Sequence, residues 1–86
     1  QDIAYLEADM KYTRVVTARG AGLVRMGINE LCSRLPADQF VRIHRRIVVN
    51  MDRVREMSPL PGGDGLLMLG DGSTLRLSRT YRSRVR

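Results

Sequence analysis

Turn-forming residues interrupt this chain so often that no long helix fits between them. They cluster at Arg19-Gly20-Ala21-Gly22, at Pro36, from Pro59 to Gly65 and at Gly70-Asp71-Gly72. The runs between are short and rich in β-branched or aromatic residues: Ile3 to Glu7, Tyr12 to Thr17, Leu23 to Met26, Phe40 to His44, Ile47 to Val49, Val54 to Leu60, Leu66 to Leu69 and Ser73 to Leu77. Such runs read as strands, and Asp71-Gly72 is a compact hairpin signal. One stretch keeps helical spacing, with Ile28, Leu31, Cys32 and Leu35 on one face and Pro36 as a stop. It predicts about two turns between Gly27 and Leu35, with Gly27 or Asn29 as the cap. Ser78 to Arg86 reads as a loop followed by a short basic terminal helix. The expected fold is mainly β.

Eighty-six residues make one domain, 1–86, with a core but no room for a second. The chain begins without Met and runs directly into a strand pattern, as a piece of a longer protein would. No apolar run approaches the roughly 20 residues that span a bilayer. A single cysteine, Cys32, excludes an internal disulfide and suits a reducing cytoplasm.

Charge is the second constraint. Fifteen basic side chains, fourteen of them arginine, face nine acids, a net charge of +6. A GC-rich genome accounts for arginine over lysine, but not for the clustering. Five arginines fall between positions 42 and 55 and five between 76 and 86, with Asp52 the only acid in either window. A solvated rim is the ordinary reading of such runs. Against it stands the alternation Phe40-Val41-Arg42-Ile43-His44, which leads into Arg45-Arg46 and then Ile47-Val48-Val49. A strand anchored on both sides of a double-arginine turn holds that turn rigidly, and phosphate backbones attract it through counterion release.

Other chemistry finds little support. His44 and Cys32 are the only residues of their kinds, so no zinc-ligand set can be drawn and neither metal nor cofactor is expected. Ser33 or Ser78 with His44 lacks a nucleophile turn and a third member, so an enzyme is not expected. Gly62-Gly63-Asp64-Gly65 is a turn; in cyclic dinucleotide synthases Gly-Gly-Asp continues Glu-Phe, and here Gly65-Leu66 follows. Tyr5, Tyr12, Phe40 and Tyr81 do not have the spacing of an RNA-stacking sheet. Without a recognition helix, a duplex binder built this way must read DNA with strands and loops.

Taken in order, Ile3-Ala4-Tyr5-Leu6-Glu7-Ala8, Lys11-Tyr12, the Leu31 to Leu35 helix, Phe40 to Asn50, Asp71-Gly72 and Leu77-Ser78-Arg79-Thr80-Tyr81 resemble the LytTR family of bacterial DNA-binding domains. The resemblance implies about ten short strands in three small antiparallel sheets with one short helix. It implies sequence-specific binding of double-stranded promoter DNA with direct repeats, by loops in the major groove, as the C-terminal output domain of a response regulator. It also implies a receiver or sensor domain on the N-terminal side and a homodimer on DNA. Carried over by motif, Thr13, Arg45 and Arg79 are expected to contact bases, and Lys11, Arg14, His44, Arg46, Thr80 and Arg82 to contact phosphate. Arg46 stands where the family most often has serine. The alternative is a β-rich interaction module whose arginines meet an acidic protein.

Overall fold

The computed structural model describes residues 2–85. The chain forms β1 (Ile3–Asp9), β2 (Tyr12–Thr17), β3 (Gly20–Val24), α1 (Ile28–Cys32), β4 (Phe40–His44), β5 (Ile47–Asn50), β6 (Val54–Pro59), β7 (Gly65–Leu69) and β8 (Thr74–Leu77). Short 3-10 helices occupy Met51–Arg53, Pro61–Gly63 and Arg79–Arg84. One sheet has the order β3-β2-β1-β5-β4 and the other β6-β7-β8, with every pairing antiparallel. No helix among the described residues is long and apolar enough to cross a membrane.

The run Ile47-Val48-Val49 is apolar without interruption because β5 is covered on both faces. Val48 faces a cluster with Leu6, Ile28 and Phe40 under α1, whereas Val49 faces Ala4, Ile43, Leu67, Leu69, Leu75 and Leu77 between the sheets. Alternation along the strand sends adjacent valines to opposite cores. A bulge in β1 between Ile3 and Tyr5 does similar work. It lets Ala4 and Tyr5 pack between the sheets while Ile3 and Leu6 pack under the helix.

The mainly β fold and its single α-helix are as expected; the strand and sheet numbers differ. Eight strands in two sheets, not ten in three, make up the described residues. The reason is β1, which pairs with β2 on one edge and β5 on the other and so fuses the opening meander to the β4–β5 hairpin. Helix α1 is five residues long, shorter than the expected two turns. Past Cys32 the amides of Arg34 and Leu35 reach back only three residues, to Leu31 and Cys32, because Pro36 disfavours α geometry in the residue before it. Gly27 is the cap and supplies no side-chain bond. The second hairpin turns at Ala18-Arg19 rather than at the glycines, since Thr17 pairs with Gly20 and its hydroxyl donates to the Gly20 carbonyl. At the terminus, the expected basic helix is the 3-10 segment Arg79–Arg84.

Asn50 is buried at the end of β5 and ties three segments. Its Nδ2 donates to the Ile3 carbonyl at 2.8 Å, and its Oδ1 accepts from the Asp52 amide at 3.0 Å and from Gln39 Nε2 at 3.3 Å. Asn50→Ala should therefore strand the Ile3 carbonyl and the Asp52 amide at a loss of about 2–4 kcal/mol. Urea denaturation checks this; a midpoint unchanged from wild type would mean that water replaces both bonds.

Candidate nucleic-acid interface

The β4–β5 hairpin closes on the pair His44 and Ile47, leaving Arg45-Arg46 as a two-residue loop. Neither arginine takes a left-handed backbone. A bulge between Arg42 and His44 absorbs the twist that a tight loop otherwise demands. Arg42 fastens the loop from below. Its Nε donates to the His44 carbonyl at 2.9 Å, its Nη2 to the Arg45 carbonyl, and its Nη1 to Asn29 Oδ1 at 2.5 Å. The planar guanidinium reaches all three acceptors together, which a lysine ammonium does not.

Arg46 donates its amide to His44 Nδ1 at 3.2 Å. Nδ1 is thus the acceptor in this bond, which leaves Nε2 without a partner among the described residues. Its guanidinium donates to the Ala8 carbonyl at 2.7 Å, while its carbonyl accepts from the Ala8 amide at 2.8 Å. These two bonds fasten the Arg45-Arg46 loop to the end of β1. Arg45 is exposed, and its guanidinium has no hydrogen-bond partner among the described residues.

The adjoining β1–β2 hairpin closes on Asp9 and Tyr12 with Met10-Lys11 at its tip. Lys11 is exposed. Thr13 is not: it is 0% exposed, and its hydroxyl donates to the Met26 carbonyl at 2.7 Å. Alternation in β2 turns it inward, where it fastens the link between β3 and α1 instead of facing a base. Arg14 is half-buried and pairs with Glu7 at 3.0 Å.

A third loop follows β8. The Ser78 amide donates to the Ile43 carbonyl at 2.8 Å, which sets the start of the terminal 3-10 helix beside the end of β4. The Ser78 hydroxyl accepts from the Thr80 amide at 3.4 Å. Asp64 holds this loop against the β6–β7 turn: Oδ1 accepts from the Arg79 amide at 2.9 Å and Oδ2 from Arg76 Nη2 at 2.8 Å. The Arg76 guanidinium, followed by the Arg79 amide, holds the Asp64 carboxyl below the usual carboxylate range. Arg79 lays its stem over Gly63, and its Nη1 lies 3.5 Å from the Gly62 carbonyl. Arg82 donates to the Gly63 carbonyl at 3.1 Å.

Three loops therefore share one rim. Lys11, Arg45, Arg46, Arg79, Thr80 and Arg82 are exposed there, with His44 half-buried beneath. Thr13 lies outside the rim, and Arg14 meets it with its charge already paired. Two residues that hold the rim escaped the sequence reading. Asp64 looked like a turn residue, and nothing local links it to arginines 12 and 15 positions later. Arg42 looked like part of a charged patch, although its inward alternation with Phe40 was the available signal.

A family model described as the LytTr DNA-binding domain matches residues 1–86. The transcriptional regulatory protein YpdB of Escherichia coli K12 is 41% identical over 70 residues, covering 81% of this chain and 29% of that protein. The CO-responsive transcriptional regulator RcoM of Rhodospirillum rubrum is 38% identical over 86 residues, covering 98% of this chain and 36% of that protein. The chain thus spans about a third of the length of these relatives. A solved structure, the LytTr DNA-binding domain of a methyl-accepting/DNA response regulator from Bacillus cereus, superposes with a TM-score of 0.90 at 30% identity. The match covers 96% of this chain and 76% of that one.

Because the Asp64 carboxyl is lowered by its arginine contacts, its contribution to stability is complete above the ordinary aspartate value of about 3.9. It is lost as pH falls below that value through the folded-state midpoint. Carboxyl NMR should show Asp64 titrating below an unperturbed aspartate. The protection of the Arg79 amide, measured against its intrinsic exchange rate at each pH, should fall over the same acid range, and Asp64→Asn should abolish that acid dependence. A normal midpoint would mean that the carboxylate is solvated and holds nothing.

Proposed function

The chain belongs to the LytTr DNA-binding domain family, and on that premise we propose that it reads duplex promoter DNA by laying its three-loop rim into the major groove. The observation that carries this reading is Arg45, an unpartnered guanidinium on a loop whose backbone Arg42 has fixed. Binding then does not have to order the loop, so the arginine is offered at a set angle. A guanidinium fork matches the O6 and N7 acceptors of guanine, a pairing no other base presents in that groove.

In this proposal Arg45 and Arg79 each specify a guanine, Arg79 after releasing its long contact to the Gly62 carbonyl. Lys11, His44 through Nε2, Arg46, Thr80 and Arg82 contact phosphate, fixing register without carrying sequence. Arg14 joins them only by exchanging Glu7 for a phosphate. Thr13 acts from inside, by holding Met26. The domain serves as the output of a longer cytoplasmic regulator, with a receiver or sensor domain on the N-terminal side, and two copies occupy direct repeats. It works by binding, without catalysis.

Selection of bound duplexes from a random pool supplies the site on which the assignments are tested. Arg45→Ala and Arg79→Ala should each lose discrimination at one base pair, by about 1–3 kcal/mol, and keep preferences elsewhere. Lys11→Ala and Arg82→Ala should weaken all duplexes alike and lower the salt slope by about 1. Uniform loss in the Arg45 variant, with every base preference intact, would make that residue a phosphate clamp. Equal binding to any polyanion would favour an acidic protein partner over DNA.

A further inference from the structure

Met10 is 96% exposed, the most exposed large hydrophobic side chain among the described residues. It is also the one non-glycine residue there with a left-handed backbone, at φ 58. A lone exposed apolar residue is ordinary. A lone exposed apolar residue in a conformation that glycine or asparagine adopts more easily is not, because both its backbone and its side chain are unfavourable in the free protein. Nothing in the folded domain benefits from methionine here. Such strain concentrates where a surface meets a ligand.

Its position says which ligand. Met10 shares the tip of the β1–β2 loop with Lys11, and that loop is bound to the Arg45-Arg46 loop by the two bonds between Ala8 and Arg46. We infer that Met10 is a specificity residue that packs against the 5-methyl group of a thymine in the major groove, close to the guanine read by Arg45. The thymine methyl is the apolar feature of that groove edge, and a methionine side chain is flexible and polarisable enough to follow it. Lys11, next in the chain, takes the adjoining phosphate and so holds the loop at that depth. The left-handed φ turns the loop tip outward, where an extended backbone would carry the side chain along the strand. This inference rests on the DNA reading above, and its test separates the two.

The experiment replaces each thymine of the selected site, one at a time, by deoxyuridine, which removes only the methyl group. The protein should lose about fourfold in affinity at one thymine, the amount expected for one buried methyl, and little at the others. Met10→Gly, which relieves the backbone, and Met10→Asn, which tolerates it, should bind the thymine and uracil duplexes equally at that position. Met10→Leu should retain the penalty. The guanine preference lost in Arg45→Ala should persist in all three, and the melting temperatures of the Gly and Asn variants should equal or exceed wild type. A uracil penalty unchanged in Met10→Gly, or no penalty at any thymine for the wild-type protein, overturns the inference while leaving guanine readout by Arg45 intact. Absence of base preference in the wild-type protein overturns both, and is recognised by Arg45→Ala changing affinity uniformly.

Discussion

Burial of β5 on both faces is the constraint from which the rest of the architecture follows. Val48 and Val49 are each 0% exposed yet belong to different clusters, and burying a valine contributes about 1.5–3 kcal/mol. A strand with two apolar faces needs a cover on each. Helix α1 supplies one through Ile28, with Leu31, Cys32 and Leu35 packed alongside, and the β6-β7-β8 sheet supplies the other through Leu67, Leu69, Leu75 and Leu77. The loop that β5 shares with β4 therefore projects from a strand packed on both faces. Its neighbours inherit that support, since β1 pairs directly with β5 and Ser78 hydrogen-bonds to β4.

The arginines divide by what their guanidinium groups already hold. Arg42 and Arg76 are committed inward, the first to two carbonyls and Asn29, the second to Asp64. Arg46, Arg79 and Arg82 each give a single side-chain bond to a backbone carbonyl and keep their remaining donors outward. Arg45 holds nothing among the described residues. A chain with a net charge of +6 thus uses part of its excess to build the surface that presents the remainder. Arginine suits both tasks, because one planar fork can bridge several carbonyls or grip one base edge.

The sequence showed the strands and the rim more clearly than it showed what joins them. Leu66 to Leu69 alternates half-buried and buried residues, whereas Phe40 to His44 breaks its alternation at the bulge and Tyr12 to Thr17 keeps it only at its start. β-Branched content and flanking turns marked those two strands. The merging of five strands into one sheet was not visible, because pairing of Leu6 with Val48 spans more than forty residues and depends on the core rather than on either segment. Helix length failed for a local reason, the influence of Pro36 on the residues before it. Thr13 is the instructive case. It lies one residue past the Asp9–Tyr12 pair that closes the loop, and a shift of one position along a strand exchanges the outer face for the inner one. Motif spacing placed it in the β1–β2 hairpin, and the pleat set its hydroxyl on the Met26 carbonyl.

That same pleat explains why loop tips rather than strand faces form the rim. Both faces of the five-stranded sheet are occupied near β5, so no strand there has a free face to lay in a groove. Two-residue loops escape the alternation: Met10-Lys11 and Arg45-Arg46 put consecutive side chains outside, where a strand would bury every second one. Fastening the loops to each other by backbone bonds, as Ala8 does with Arg46, makes them one surface rather than independent fingers. The ordering cost of recognition is then met largely during folding. In the proposed reading, phosphate contacts then supply salt-dependent affinity, while a few fixed side chains discriminate between sequences.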